Sequence, residues 1–352
     1  MMKENFNLNS LIRPNVKRLK PYSTARDDFK DFEKDMIFLD ANENPFENGV
    51  NRYPDPHQNK LKSIISKIKN ISAQNILLGN GSDEVLDLIF RMFCEPNKDN
   101  VIILPPTYGM YEVLANLNAI ETVKVPLSDT FQPNVDEILS AVNSNSKLLF
   151  LCSPNNPSGN SFSLKLIEQL LVNFNGVVVI DEAYIDFSDE KSWITRLGDF
   201  PNLIVTQTLS KAYGMAGIRL GICYASTEII SVLNAIKPPY NVNQLTQEKA
   251  IENLENADLA IAQIADILKE RDVLIDGFKN ISFVFKIYPS DANFILIKVD
   301  DANKRYDQLI NKGVVVRNRT TQYGCDNCLR ITVGTASENK KIITEFRELQ
   351  SL

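Results

Sequence analysis

The chain has 352 residues, of which 44% are hydrophobic and 23% charged. This length and composition are typical of a globular protein of about two domains, and five cysteines are too few for a disulfide framework. The net charge of -6 and the pI near 5.1 argue against a general binder of nucleic acid or of anionic membranes.

The N-terminal part of the chain is polar. Residues 1–18 lack the apolar core of a signal peptide, and no apolar run is long enough to cross a bilayer, so we expect a cytoplasmic protein without a membrane partner. Further along, Ile37-Phe38-Leu39 is predicted to form a short strand that leads into a polar loop. A helix is predicted from His57 to about Lys69.

Between residues 76 and 224, short apolar runs alternate with helical patterns. The predicted strands lie at residues 76–78, 101–104, 148–151, 177–180, 203–205 and 220–224. Such strands predict an α/β fold with a mainly parallel sheet and helices on both faces. Ligands bind beyond the carboxyl ends of the strands in such sheets. Because a polar cluster follows each apolar run up to residue 205, we expect these clusters to meet at one edge.

The pattern changes after about residue 239. A long amphipathic stretch predicts helix over residues 244–280, with a possible break near Asn256. Further strands are predicted at residues 283–285, 294–297, 314–316 and 329–333, and further helices at 302–311 and 337–349. We predict a large domain over residues 34–239 and a smaller α+β domain formed by residues 1–33 and 240–352.

Lys211 stands in a loop rich in hydroxyl groups and glycine, between two apolar runs. Packing does not favour lysine there. A buried or cation-flanked amine loses proton affinity and can form a Schiff base with an aldehyde, so we predict that Lys211 carries pyridoxal phosphate. Arg219 could bind a phosphate with its fork of donors, with a surface salt bridge as the alternative. Thr208 and Ser210 add hydroxyl donors.

A second candidate phosphate site lies between the first strand and its helix. Gly81 lets the backbone approach a ligand closely, and the amides of Ser82 and Asp83 open the helix, where they can bind an anion. The ordinary interpretation is that Ser82 or Asp83 simply caps the helix, and this stretch alone favours it.

Asp181 ends a buried strand, where an unpaired carboxylate is costly. Against the protonated nitrogen of a pyridine ring it would form a charge-assisted pair and keep the ring able to accept electrons. A helix cap or a metal ligand is the alternative. The metal is less favoured because His57 is the sole histidine of the chain.

Three more side chains follow predicted strands and suit the same ring. Asn156 could hydrogen-bond a ring hydroxyl, Tyr184 could support that oxygen, and Tyr108 could stack on the ring. Each has an ordinary alternative: an Asn-Pro turn, packing at a strand end, and a half-buried surface aromatic.

Two arginines of the smaller domain are candidates for binding an anionic substrate. Arg330 is flanked by apolar residues, where a guanidinium without a partner would be costly. Arg317 lies near a predicted strand. An internal ion pair is the alternative. The spacing of Cys325 and Cys328 would suit zinc only with further ligands, so we interpret both as incidental loop cysteines.

The motifs Asn-Pro-Ser-Gly at 156–159, Asp-Glu-Ala-Tyr at 181–184 and Ser-Lys at 210–211 resemble those of the fold-type I pyridoxal-phosphate aminotransferases. Within that family the resemblance is strongest to the histidinol-phosphate aminotransferases. The matching stretches are residues 40–45, 52–55, 81–84, 152–157, 208–211 and 329–334. Ser158 stands where this family usually has threonine, and it keeps the hydroxyl.

The resemblance implies a ping-pong transamination between L-histidinol phosphate and 2-oxoglutarate in L-histidine biosynthesis. Catalytic roles fall to Lys211, Asp181 and Tyr184. Cofactor contacts are implied for Gly81, Ser82, Asp83, Tyr108, Asn156, Asp181, Tyr184, Thr208, Ser210, Lys211, Arg219 and, from the neighbouring subunit of a homodimer, Tyr53. Substrate contacts are implied for Tyr22, Asn44, Arg317 and Arg330.

Three alternatives stay open on the same scaffold. An aminotransferase for aromatic amino acids would share the core and differ only in the substrate pocket. A phosphothreonine decarboxylase would also keep Lys211 and the arginines. A pyridoxal-phosphate sensor without enzymatic activity is the weakest alternative, because the sequence shows no DNA-binding segment or basic arm.

Overall fold

The computed structural model describes residues 6–22 and 37–350, which form a seven-stranded and a four-stranded sheet. The strands of the large sheet follow its apolar runs. They are β1 (Ile76–Asn80), β2 (Asn100–Ile103), β3 (Glu121–Lys124), β4 (Ser146–Cys152), β5 (Val177–Asp181), β6 (Leu203–Thr208) and β7 (Leu220–Tyr224). Their spatial order is β1-β7-β6-β5-β4-β2-β3.

The large sheet is mainly parallel. β3, β2, β4, β5 and β6 pair in parallel, whereas β7 is antiparallel to both of its neighbours, β6 and β1. β1 therefore runs in the same direction as β6. The carboxyl ends of the six strands other than β7 consequently share one edge with the start of β7, which brings Arg219 to that edge.

Helices cover both faces of the large sheet, and an apolar core lies under each layer. Leu61 and Leu170 pack into one core, and Val85, Leu114 and Ile230 into the other. The helices up to residue 236 are α1 (Leu8–Leu11), α2 (Pro14–Lys17), α3 (Asn59–Lys69), α4 (Gly81–Phe93), α5 (Met110–Leu117), α6 (Val135–Ala141), α7 (Leu164–Asn173) and α8 (Thr227–Ile236).

The four-stranded sheet is antiparallel, in the order β10-β11-β9-β8. Its apolar face packs against helices through Phe278, Leu309 and Phe346. The elements of this part are α9 (Gln244–Glu255), α10 (Ala257–Phe278), β8 (Val284–Ile287), β9 (Phe294–Val299), α11 (Ala302–Asn311), β10 (Arg317–Asn318), β11 (Cys328–Thr332) and α12 (Ala336–Gln350). The predicted helix break near Asn256 is present.

Several described contacts bear on where the smaller domain begins, and the predicted division into domains stays a prediction. Ile12 packs into a core of the large sheet, and the amide of Arg13 donates to the carbonyl of Met92 on α4 at 3.0 Å. Ala250 and Leu254 of α9 also join a core of the large sheet. We therefore propose that the smaller domain begins near residue 256; the predicted boundary at residues 33 and 34 lies outside the described residues.

Two predicted strands are wrong. Residues 37–39 have no regular structure, and the side chains of Ile37 and Leu39 are exposed. Residues 314–316 are also irregular, and pairing begins only at Arg317. Among the helices of the described ranges, none combines the length and the apolar character needed to cross a membrane.

Candidate active site

One cavity opens at the edge where the strands of the large sheet end. Its wall is formed by Ser82, Asp83, Tyr108, Cys152, Asn156, Asp181, Ala183, Tyr184, Thr208, Ser210, Lys211 and Arg219. Apart from Cys152 and Ala183, all of these are residues that the sequence assigns to the cofactor. The fold thus brings to one place side chains from six separate stretches of the chain.

Lys211 points its amine into this cavity from the loop after β6. Its Nζ lies 5.8 Å from the centroid of the Tyr184 ring. Partial burial of the amine, followed by the nearby Arg330 and Arg219 guanidinium groups, lowers the pKa of Lys211 below its ordinary value. Asp181 opposes this shift without reversing it. The environment therefore makes the neutral amine, the form that reacts with carbonyl compounds, easier to reach than in an exposed lysine.

Asp181 lies at the end of β5, and its side chain is almost completely buried, with 2% of the residue exposed. It accepts hydrogen bonds from the Tyr111 hydroxyl at 2.8 Å and from the Ala183 amide at 3.2 Å. Burial raises the pKa of Asp181 more than these bonds lower it. The described residues form no ion pair with this carboxylate within 4.0 Å, so the cavity offers it to a cationic ligand.

Tyr111 is a functional residue that sequence reasoning missed. It is fully buried on α5, stacks on Phe150 with ring centroids 4.8 Å apart, and reaches a carboxylate 70 positions away in the chain. In a sequence, a tyrosine on the apolar face of a helix indicates only packing in the core. Only the three-dimensional arrangement shows that its hydroxyl orients Asp181.

A cradle of donors lies at the other end of the cavity. Gly81, with φ of +74°, opens α4 and donates its amide to the carbonyl of Arg219 at 2.9 Å. The Arg219 guanidinium lies 3.7 Å from the Asp83 carboxylate. The Thr208 hydroxyl donates to the Ser210 hydroxyl at 3.0 Å. Helix N-terminal amides, hydroxyl groups and a guanidinium together make a site for a phosphate.

Gly81 allows the backbone of this cradle to lie close to the Arg219 side chain. A Cβ built on Gly81 would lie 2.7 Å from Nη2 of Arg219, and the positive φ would strain any other residue. We expect Gly81→Ala to displace the guanidinium and to weaken pyridoxal phosphate binding about 10-fold, since strain of this kind costs about 1–2 kcal/mol. Equilibrium titration of the cofactor-free protein, followed by absorbance, measures this loss.

Gly313→Ala is the matched control for this substitution. Gly313 has a similar φ of +72°, but a Cβ there would meet only Nζ of Lys341, at 3.7 Å. This variant should lose similar thermal stability and keep its cofactor affinity. Equal affinity losses in both variants would show that general destabilisation, and not the cradle, accounts for the effect.

Asn156 links the cavity to the smaller domain. Its side-chain oxygen accepts a hydrogen bond from Nη1 of Arg330 on β11. This bond leaves the amide nitrogen of Asn156 free to donate to a ring oxygen. Tyr184 lies beside it with its ring edge-on to Phe294 at 5.1 Å between centroids, and burial raises its pKa. The Tyr108 hydroxyl donates to Asp83 at 3.0 Å.

Four predicted residues stand apart from the cavity wall. Tyr53 is 52% exposed and stacks on Tyr240 with centroids 4.6 Å apart, and Tyr22 is 74% exposed. Asn44 is exposed and accepts a hydrogen bond from the Phe46 amide at 2.9 Å. Arg317 is exposed on β10. One chain does not place these side chains against Lys211, so their roles stay predictions.

The described residues contain no group of three or more histidine, cysteine or acidic side chains that could hold a metal ion. Cys325, in the turn before β11, and Cys328, the first residue of β11, are buried free thiols. They pack into an apolar core with neighbouring residues of both sheets.

Comparison with known proteins defines the class of this chain. Residues 35–346 match the family described as aminotransferase class I and II, and the chain belongs to that family. A curated relative in Flavobacterium johnsoniae, named histidinol-phosphate aminotransferase, is 63% identical over 345 residues, which cover 98% of this chain and 99% of the relative. The predicted family is thereby confirmed.

Solved structures share the architecture. The histidinol-phosphate aminotransferase of Clostridium acetobutylicum has a TM-score of 0.79 at 23% identity and covers 86% of this chain and 91% of its own. That of Sinorhizobium meliloti, solved in complex with pyridoxal-5'-phosphate, has a TM-score of 0.75 at 24% identity, with coverages of 85% and 84%. At these identities the likeness concerns the fold, and it confirms the predicted fold-type I architecture.

Proposed function

We propose that this chain is a pyridoxal-phosphate-dependent transaminase. It exchanges the amino group between L-histidinol phosphate and 2-oxoglutarate, giving imidazole-acetol phosphate and L-glutamate in L-histidine biosynthesis. The single observation that carries the proposal is the cavity that holds the Lys211 amine between the buried Asp181 carboxylate and a phosphate cradle. The 63% identity with a relative of the same named activity supports the choice of substrate.

The residues present fit pyridoxal phosphate in three respects. Asp181 is a buried carboxylate for which the described residues provide no cation within 4.0 Å, and it would pair with the protonated ring nitrogen. The cradle at Gly81, Ser82 and Arg219 would hold the phosphate. The Asn156 amide and the Tyr184 hydroxyl would face the ring hydroxyl.

Pyridoxal phosphate, when bound, supplies an aldehyde carbon and a ring that accepts electrons. The protein's residues do the remaining work. Asp181 would hold the proton at the ring nitrogen, and Tyr111 orients Asp181 by its hydrogen bond at 2.8 Å. Nζ of Lys211, whose pKa is lowered, would take the proton from the amino-bearing carbon of the substrate and would deliver it to the carbon that receives the amino group.

Substrate recognition would fall to Arg330, Arg317, Tyr22 and Asn44. Arg330 already lies at the cavity through its bond to Asn156 and has no described carboxylate partner within 4.0 Å. Its guanidinium is therefore available to a phosphate or carboxylate of the substrate.

We propose a cytoplasmic homodimer as the working form. Tyr53 is exposed in one chain and lines a groove together with the exposed apolar residues Val50 and Leu245. A surface of this kind suits burial by a second copy of the chain. In such a dimer Tyr53 would reach the cofactor phosphate of the neighbouring subunit and complete its site.

Steady-state kinetics with purified holoenzyme test the substrate assignment. We expect kcat/KM with L-histidinol phosphate to exceed that with phenylalanine by about 100-fold or more, because the phosphate contributes charge-assisted hydrogen bonds that phenylalanine lacks. Faster turnover of phenylalanine would point to an aromatic aminotransferase. Release of carbon dioxide from phosphothreonine without amino transfer would point to the decarboxylase, and either result would overturn the proposal.

A further inference from the structure

A row of three arginines stands on one face of the smaller sheet. Arg317 of β10 lies directly opposite Arg330 of β11 in the antiparallel ladder. The amide of Arg319 donates to the carbonyl of Cys328 at 2.8 Å, so the same pairing continues one step beyond β10. Side chains two positions apart on a strand face the same side. Arg319 therefore shares a face with both Arg317 and Arg330.

This face is turned towards the large domain and its cavity. Leu296 lies opposite Arg330 in the ladder and packs into a core of the large sheet. Leu329 and Ile331, on the other face, pack into the core of the smaller domain. Arg319 also lies close enough to Tyr184 of the cavity wall to interact with it electrostatically.

The arginine row has no anionic partner among the described residues. Arg319 and Arg330 each have a buried Nε without a hydrogen-bond partner, and neither forms an ion pair within 4.0 Å. Burial and the neighbouring guanidinium groups lower the pKa of both side chains, that of Arg330 to about 10. Holding like charges together in a half-buried place is costly, and an anion with several acceptor oxygens would offset that cost.

We propose that Arg319 is a specificity-determining residue that binds the phosphate monoester of the amino donor, together with Arg330 and Arg317. A phosphate monoester carries close to two negative charges at neutral pH and three acceptor oxygens, which match adjacent guanidinium forks better than a single carboxylate does. The proposal rests on the function proposed above. It adds a residue that sequence reasoning missed, because Arg319 stands outside every matching motif.

Arg319→Gln tests the proposal in the holoenzyme. We expect KM for L-histidinol phosphate to rise about 30-fold with kcat nearly unchanged, as for loss of one charge-assisted contact made equally in ground and transition states. Inhibition by inorganic phosphate, competing with the amino donor, should weaken by a similar factor. Inhibition by L-histidinol, which lacks the phosphate, should stay within about 2-fold. Arg319→Lys should restore part of the affinity, since it keeps the charge but not the fork.

The control is Arg91→Gln, which removes a guanidinium that is paired with Asp87 at 2.6 Å at the far end of α4. It should change none of these constants. If Arg319→Gln weakened the binding of L-histidinol and of L-histidinol phosphate equally, Arg319 would have a structural role and the assignment would be overturned. Unchanged binding of L-histidinol phosphate would also overturn it. A wild-type enzyme inactive with L-histidinol phosphate would instead refute the proposed function, and phosphate competition with whichever amino donor is active would still test Arg319.

Discussion

Lys211→Ala is expected to reduce transaminase turnover by about 1,000-fold or more, because it removes both the reactive amine and the proton carrier. The fold should survive, since the Lys211 side chain faces an open cavity and forms no described ion pair within 4.0 Å. Steady-state kinetics measure the loss of turnover. The absorbance of added pyridoxal phosphate should also stay that of the free aldehyde, without the visible band of a lysine imine.

Lys249→Ala is the control for this substitution. The Lys249 amine is exposed and hydrogen-bonds Glu252 at 2.9 Å on α9, so its loss should leave turnover and the cofactor spectrum unchanged. A Lys211→Ala enzyme that kept both the spectral shift and its turnover would show that another amine carries the chemistry.

Asp181→Asn is expected to lower kcat by about 100- to 1,000-fold, the range typical for losing a preorganised electrostatic partner in an active site. The amide keeps the shape of the side chain and can still bond Tyr111, but it cannot hold a proton on the ring nitrogen. Cofactor affinity should fall with kcat. Turnover and cofactor titration of the variant measure both effects.

The stability of the cofactor-free protein gives this prediction a second readout. Burial raises the pKa of Asp181 above its ordinary value of 3.8, so the folded protein binds this proton more tightly than the unfolded chain does. The group therefore lowers the free energy of unfolding as pH rises above about 3.8, over the range up to its folded pKa. The Asp181→Asn variant should not show this decrease in the free energy of unfolding. At neutral pH its cofactor-free form should be at least as stable as the cofactor-free wild type.

Asp186→Asn separates this behaviour from a general effect of losing a carboxylate. Asp186 pairs with the Lys69 amine at 2.9 Å, and both side chains are mostly buried. Breaking this pair should destabilise the fold and leave cofactor affinity unchanged, the reverse of the pattern expected for Asp181→Asn. If Asp181→Asn unfolded the cofactor-free protein, Asp181 would be a structural residue.

The sequence predicts which residues meet at the edge of the large sheet, because each polar cluster directly follows an apolar run. In a mainly parallel sheet that rule alone brings Lys211, Asp181 and Asn156 to one edge. Arg219 reaches the same edge for a different reason. It precedes β7, which runs antiparallel to its neighbours, so the start of this strand, not its end, faces the cavity.

The elements that the sequence analysis missed lack a continuous apolar signal. β3 is a half-exposed edge strand, Glu121–Lys124, in which polar residues outnumber apolar ones. Ile37-Phe38-Leu39 has the apolar signal of a strand, yet these residues have no regular structure, and Ile37 and Leu39 are exposed. Burial by a partner surface would equally favour apolar residues there.

Residues whose contacts lie far apart in the chain also escape a linear pattern. Tyr111 orients a carboxylate 70 positions away, and Arg330 bonds a side chain 174 positions away. The role proposed for Arg319 follows from the pairing of β10 with β11. This pairing places Arg319 beside Arg330, although 11 positions separate them in the chain. Such pairings depend on which strands become neighbours, and composition and periodicity do not specify that choice.

Transfer of a nitrogen label tests the central claim most directly. Holoenzyme is incubated with ¹⁵N-labelled L-glutamate and imidazole-acetol phosphate, and the products are followed by NMR. We predict that the label appears in L-histidinol phosphate at the rate at which 2-oxoglutarate forms. Label retained in glutamate, while a parallel sample transfers it to phenylpyruvate, would contradict the assignment of this site to histidinol phosphate.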